Sequence, residues 1–172
     1  MRILNKERLV IVNPFDQAQV AMIEEFEQEN EINTKTSEFL TRIQKSTTNK
    51  EYELLKKRSN EVEESILLES EGKVKDCCHI QGEKDRKSCS IIFSPIKTKL
   101  RNRHLLTFAT DYAIENLGME EVFVSVTPGD RNMIENLEAR NFENLGEVDG
   151  KIIYLKERVD YLPPTRRIQC NC

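Results

Sequence analysis

Four cations, Lys97, Lys99, Arg101 and Arg103, stand within the seven-residue run KTKLRNR. The run lies between a strand-like segment that closes on Ser94-Pro95 and a helix-like segment from about Asn102 to Leu117. Cations at a helix start oppose the helix dipole, which favours negative charge there. The first backbone N–H groups of a helix also lack intrahelical partners. Cationic side chains and free amides at one helix start suit an anion, most simply a phosphate or pyrophosphate. By charge pattern alone, a solvated basic turn fits equally well. His104 is one step inside the helix, where it either touches such an anion or faces solvent. Glu69, Glu71 and His79 lie on or beside strand-like runs. Each is a candidate base, and each has an ordinary alternative as a surface or satisfied polar group.

Other groups carry less chemistry. Glu24, Glu25, Glu27, Glu29 and Glu31 follow one another along a helix-like segment and read as a solvated face rather than a metal site. The five cysteines are Cys77, Cys78, Cys89, Cys170 and Cys172. An odd count argues against a disulfide framework. Cys77 and Cys78 are adjacent, so on a strand they point to opposite faces. The paired two-residue spacing of a zinc site is missing, and no metal is expected. Cys170-Asn171-Cys172 reads as an oxidisable tail.

The elements that must position these groups follow from patterning. A chain of 172 residues with 38% hydrophobic and 33% charged residues fits one domain. The expectation is a single domain over 1–158 and a polar tail over 159–172. The net charge of −4 argues against general nucleic-acid binding, which needs a broad basic surface. No apolar run approaches the roughly 20 residues of a membrane span. The N-terminus lacks a signal-peptide pattern, so a cytoplasmic location is expected.

Leu9 to Val12 reads as an opening strand, and Asp16 as the cap of a helix with Val20, Ile23 and Phe26 inward. Thr36 or Ser37 can cap a second helix that buries Phe39, Leu40 and Ile43. Glu51 to Val62 reads as a third, with Tyr52, Leu54 and Leu55 as its apolar face. Three strands then form an antiparallel meander, at 65–70, 74–81 and 87–93. Pro95 ends the last of them. In the next helix, Leu105, Ala109, Tyr112, Ala113 and Leu117 share one face, and Gly118 closes it. A strand at Val122–Val126 follows, then a short helix capped by Asp130 that carries Met133, Ile134 and Leu137. Asp149-Gly150 marks a two-residue hairpin between 145–148 and 151–155. The strand–basic turn–helix–strand unit at 87–126 is a parallel crossover, so it should be right-handed. Open sheets bind ligands at the carboxyl ends of such strands.

This order, with the stretch KTKLRNRHLLTFATDYAIENLGMEEVFVSVTPGDRNMIENLEARNF, resembles the GCN5-related N-acetyltransferase (GNAT) superfamily. Tyr112-Ala113, Leu117-Gly118, Val122 to Val126, Ile134, Glu138 and Phe142 carry the match. It spans roughly the last 90 residues, and over the first 60 it is topological only. The departures are specific. The family's phosphate loop has glycines where this chain has Leu100 and Asn102. The family's asparagine in the next turn is Asp130, and its glycine before the anchoring phenylalanine is Asn141. The tyrosine that protonates the coenzyme A thiolate in many members is Leu137 here.

The resemblance implies an α/β (α+β) fold with a mixed central sheet of about six to seven strands, helices on its flanks and a parallel, splayed strand pair. It implies acetyl-coenzyme A as cosubstrate and a primary amine of a small molecule or peptide as acceptor. Lys99, Leu100, Arg101, Asn102, Arg103 and His104 would grip the diphosphate. Ile92, Phe93 and Ser94 would hold and polarise the thioester, and Asp130 and Met133 would also bind the cofactor. Ser125 and Thr127 would either bond the pantetheine arm or end their strand. Glu69 and His79 are the candidate bases. A homodimer is compatible with the resemblance. A catalytically degenerate module that binds or regulates is the alternative, and another anion such as a nucleotide in the same cradle is a third.

Overall fold

Two long runs, Val62–Leu68 and Val74–Ile80, pair at the centre of the sheet and are buried along much of their length. The computed structural model describes residues 2–4, 7–96 and 103–159. The strands are β1 (Arg2–Leu4), β2 (Glu7–Ile11), β3 (Glu61–Ser70), β4 (Lys73–Glu83), β5 (Ser88–Phe93), β6 (Glu121–Val126), β7 (Glu143–Val148) and β8 (Lys151–Glu157). The helices are α1 (Gln17–Asn30), α2 (Lys35–Ser46), α3 (Asn49–Arg58), α4 (Arg103–Glu115) and α5 (Arg131–Ala139). All eight strands join one sheet in the order β1-β2-β3-β4-β5-β6-β8-β7. The expected mixed sheet with helices on its flanks is present. It carries one strand more than expected, because Arg2–Leu4 pairs antiparallel with β2. Three residues are too few for periodicity to reveal.

Helices cover both faces. Leu105, Leu106, Ala109 and Ala113 of α4, with Met133 and Leu137 of α5, pack on Ile66, Cys78, Ile80 and Val124. Ile23, Phe26, Phe39, Leu40 and Tyr52 of α1–α3 pack on Leu67 and Cys77. Cys77 and Cys78 thus face opposite sides, as adjacent strand residues must.

Several local signals work as the sequence implies. Asp16 Oδ1 accepts from Ala18 N and Gln19 N at the start of α1. Asp149 and Gly150 adopt φ of 50° and 79°, the positive pair that a type I′ hairpin requires. Three expectations are corrected. Thr34 caps α2, accepting from Ser37 N at 3.0 Å, while Thr36 turns inward and is buried. The helix expected over 51–62 ends at Arg58, and Glu61 already belongs to β3. The last turn of α3 carries Lys56, Lys57 and Arg58, charges that suit a helix C-terminus. Beyond it, β3 is buried on both faces from Glu64 to Leu68, which hides the two-residue alternation of a strand. Leu54 and Leu55 are each 51% exposed; of the expected apolar face, Tyr52 alone is buried.

The decisive feature lies between β5 and β6. They pair in parallel only through Ser88↔Glu121, Cys89↔Val122 and Ser90↔Phe123. Beyond Ser90, β5 stays with β4 up to Cys78↔Phe93. Beyond Phe123, β6 stays with β8 up to Val126↔Ile152. Each strand is held by its other neighbour while the two part company.

Candidate active site

The parting of β5 and β6 opens a cleft of about 510 Å³ at their carboxyl ends. Its walls are Ser90 to Ile96 on one side and Ser125, Val126 and Thr127 on the other, with Asp130, Met133 and Lys151 across the mouth. Ile92, Phe93, Ser94, Asp130 and Met133, which the resemblance assigns to cofactor binding, are therefore brought together here. Past Ser90, β5 has no β6 partner on this side, and a strand edge turned to a cleft is where backbone groups can meet a ligand.

The two walls are fixed from behind. Ser94 is buried and donates its hydroxyl to Asp76 Oδ1 at 2.6 Å, and its amide donates to the Cys77 carbonyl at 3.0 Å. The same Asp76 oxygen accepts from Cys77 N at 2.8 Å. These bonds hold β5 to β4 past the point where β6 departs. On the opposite wall, Asp130 caps α5 by accepting from Met133 N at 3.2 Å. Leu137, which the resemblance aligns with the family's tyrosine, is fully buried in the α4–α5 side of the core.

Lys97 to Asn102, which carry most of the expected phosphate loop, lie outside the described residues. Their flanks are described. Ile96 lines the cleft, and Arg103 and His104 open α4.

Of the three candidate bases, Glu71 lies in the turn between β3 and β4, and Glu69 and His79 stand four rows apart in the β3–β4 register, at Glu69↔Val74 and Ser65↔His79. Glu69 is engaged by Arg8, whose guanidinium reaches both carboxylate oxygens at 2.7 Å. His79 is buried on β4, directly across from Ile92 of β5. Its Nδ1 is 2.6 Å from Ser65 Oγ and its Nε2 is 2.9 Å from Glu63 Oε2. Arg42 of α2 binds both oxygens of Glu63, at 2.6 and 2.7 Å. Burial pushes the Glu63 carboxyl up, but the hydrogen bonds from His79 and Arg42 outweigh it and hold the group down at about 2. An ionised carboxylate only accepts, so His79 donates from Nε2. In the neutral ring, Nδ1 then accepts from the Ser65 hydroxyl. The result is a four-residue chain from the buried sheet out to the α2 surface. Periodicity marks His79 as a polar residue on a strand, but no local pattern connects it to Arg42, Glu63 and Ser65.

Glu64, the neighbour of Glu63 on β3, turns to the other face. It is 5% exposed and paired with Lys56 at 3.0 Å. Burial raises its carboxyl, and the Lys56 ammonium opposes that rise only in part. It does not line the cleft. Among the described residues no group of three or more His, Cys, Asp or Glu side chains could hold a metal ion. No helix among them is long and apolar enough to cross a membrane.

This sheet, split between two parallel strands with a helix between them in the chain, has the fold of the GCN5-related N-acetyltransferases. A spermidine N-acetyltransferase from Vibrio cholerae, solved as a dodecamer, superposes with a TM-score of 0.62 at 14% identity, covering 92% of this chain and 98% of that one. A ribosomal-protein-S5-alanine acetyltransferase from Vibrio fischeri gives a TM-score of 0.64 at 12% identity, over 94% and 98%. The N-acetyltransferase PseH of Campylobacter jejuni, in complex with acetyl coenzyme A, gives 0.55 at 13% identity, over 88% and 99%. No protein-family profile matches the sequence, and no curated protein matches it by sequence.

Proposed function

We propose that this chain is a sequence-divergent member of the superfamily that transfers an acetyl group from acetyl-coenzyme A to a primary amine of a small molecule or peptide, in the cytoplasm. The observation that carries the reading is the cleft between β5 and β6, bounded by Ile92, Phe93, Ser94, Asp130 and Met133. It is lined by both polar and apolar side chains, and Ile96 on its wall immediately precedes the cationic run in sequence. Within it, an amide of β5 would donate to the thioester oxygen, where negative charge develops during attack. The diphosphate would rest on Lys99, Leu100, Arg101, Asn102, Arg103 and His104. Leu100 and Asn102 replace glycines, so side-chain charge would supply attraction that close backbone approach supplies elsewhere.

The reaction is a direct displacement. The amine nitrogen attacks the carbonyl carbon, a C–N bond forms, and the C–S bond breaks with its electron pair leaving on sulfur. The nitrogen then sheds one proton. Of the candidate bases we favour His79, which adjoins Ile92 across the sheet and whose Nδ1 would take the proton by way of the Ser65 hydroxyl bonded to it, over Glu69, which Arg8 engages on both oxygens. Glu63 would stabilise positive charge on the His79 ring, and Arg42 would hold Glu63 in place. Leu137 donates no proton, so coenzyme A would depart as the thiolate, which a simple thiol pKa near 8.5 makes accessible near neutral pH. Leu137 also favours a second reading, a degenerate module that binds coenzyme A without transfer.

Calorimetry with acetyl-coenzyme A and with 3′-dephospho-coenzyme A tests the proposal. Saturable binding and thiol release with an amine panel are the expected results. No binding at millimolar ligand contradicts the enzyme reading, and binding without release over the panel selects the module.

A further inference from the structure

On the face of the sheet covered by α1–α3, beside α2, lies a second hollow of about 470 Å³. Its inner wall includes His79 and Gln81 of β4. These two residues pair with Ile92 and Ser90 of β5, and both partners line the cleft. One strand thus separates the two hollows, and neighbouring strands lie only about 4.8 Å apart. Ser90 is also where β5 parts from β6. An acyl group in the cleft and a ligand in this hollow would meet at the same level of the sheet.

The lining specifies the ligand. Phe39, buried with its ring 5.1 Å from that of His79, gives an apolar floor that suits a methylene chain. Carboxylates outnumber cations: Glu38, Glu61, Glu63 and Glu83 against Lys35 and Arg42. Both cations are already engaged, Arg42 by Glu63 and Lys35 by Glu38 at 3.2 Å. At the outer end, Glu61 and Glu83 are cross-strand partners. Like charges directly opposite on adjacent strands repel, and a cation between them removes that penalty. Glu83 also meets Arg86, but as an exposed pair at 3.1 Å that solvent weakens. From the Glu61–Glu83 row to the Glu63–Gln81 row is two residues, and to the Ser65–His79 row four. At 3.3–3.4 Å per residue these are about 7 and 13 Å.

We propose that this hollow is the acceptor site, and that its acceptor is an unbranched aliphatic amine with a second positive charge about 7–13 Å from the reacting nitrogen. The reacting nitrogen would lie by His79 and Gln81, the chain along Phe39, and the second cation between Glu61 and Glu83. The site rests on the acetyl-transfer reading for its chemistry, but binding of the amine can be measured without coenzyme A.

The test has two arms, run on the full chain and on the double variant Glu61→Gln/Glu83→Gln, both at exposed or half-buried rim positions. In the first, calorimetry compares pentylamine with diaminopentane and octylamine with diaminooctane, with no coenzyme A present. The expected result is saturable diamine binding, about tenfold tighter than the matching monoamine, as neutralising one to two partly exposed ion pairs implies. The double variant should lose that preference, and Glu61→Lys should do so alone. In the second arm, thiol release from acetyl-coenzyme A should show the same diamine preference in kcat/KM and the same loss. Equal binding of monoamines and diamines, or a preference that survives in the double variant, overturns the inference. Failure of acetyl-coenzyme A itself to bind is read separately, and would sink the proposed function while the first arm still decides this site.

Discussion

Glu63 is the hinge of the buried chain, and replacing it with glutamine removes its charge while keeping its size. Its carboxyl is held at about 2 instead of the ordinary 4.5. At 1.36 kcal/mol per pH unit that difference sets a ceiling of about 3.4 kcal/mol on its contribution to stability. The Glu63 side chain is 15% exposed but its partner Arg42 is 53% exposed. Solvent screening at the Arg42 end lowers the expectation to about 1.5–2 kcal/mol. The sign follows from the direction of the shift. A carboxyl whose folded pKa is depressed contributes fully above its unfolded value, and the contribution fades as pH falls toward the folded value. Urea unfolding of the wild type and Glu63→Gln should therefore differ by about 1.5–2 kcal/mol at pH 7, by less near pH 3.5, and by almost nothing near pH 2. A difference that is constant from pH 7 to pH 2.5, or absent at pH 7, would refute the assignment of Glu63 as an ionised acceptor for both His79 and Arg42.

Ser94→Ala removes a hydroxyl donor from buried Asp76 and should cost about 1–3 kcal/mol in urea unfolding; an unchanged midpoint would show that the Asp76 contact does not anchor β5. Gly82→Ala would drive a Cβ into the Ser88 carbonyl oxygen and Cys89. It should destabilise the protein by about 1–3 kcal/mol, and a thermal melt at or above the wild-type temperature would contradict the close approach of β4 and β5. Replacing Lys99, Arg101 and Arg103 together with glutamine should abolish acetyl-coenzyme A binding by calorimetry without lowering the melting temperature. Retained binding would show that charge does not replace the missing glycines.

The C-terminal half was legible because its signals are local. Asp130 caps α5, Gly118 follows α4 with φ of 73°, and Asp149-Gly150 turns the last hairpin. Pro95 marks the end of β5, whereas Ile92, Phe93 and Ser94 were pointed to by the family resemblance and not by a local signal. The boundary between α3 and β3 was not legible. Tyr52, Leu54 and Leu55 imitate a helical stripe, yet α3 sits beside the free start of β3, where β2 has already ended at the Ile11↔Ile66 pair. Only Tyr52 finds a core there. The groups around His79 were hidden for another reason. Arg42, Glu63 and Ser65 reach it from α2 and β3, and only the strand register Ser65↔His79 brings them into contact. The opposed Glu61 and Glu83 are likewise a product of register, since each looks like an ordinary surface acid in isolation.

The central claim is that the split between β5 and β6 receives acetyl-coenzyme A. The most direct measurement is a titration of isotopically labelled protein with acetyl-coenzyme A, followed by backbone amide chemical shifts. Saturable shifts should concentrate at Ile92, Phe93, Ser94, Thr127, Asp130 and Met133, with the edge strand β7 unmoved. No saturable shift, or shifts centred away from these residues, would contradict the account.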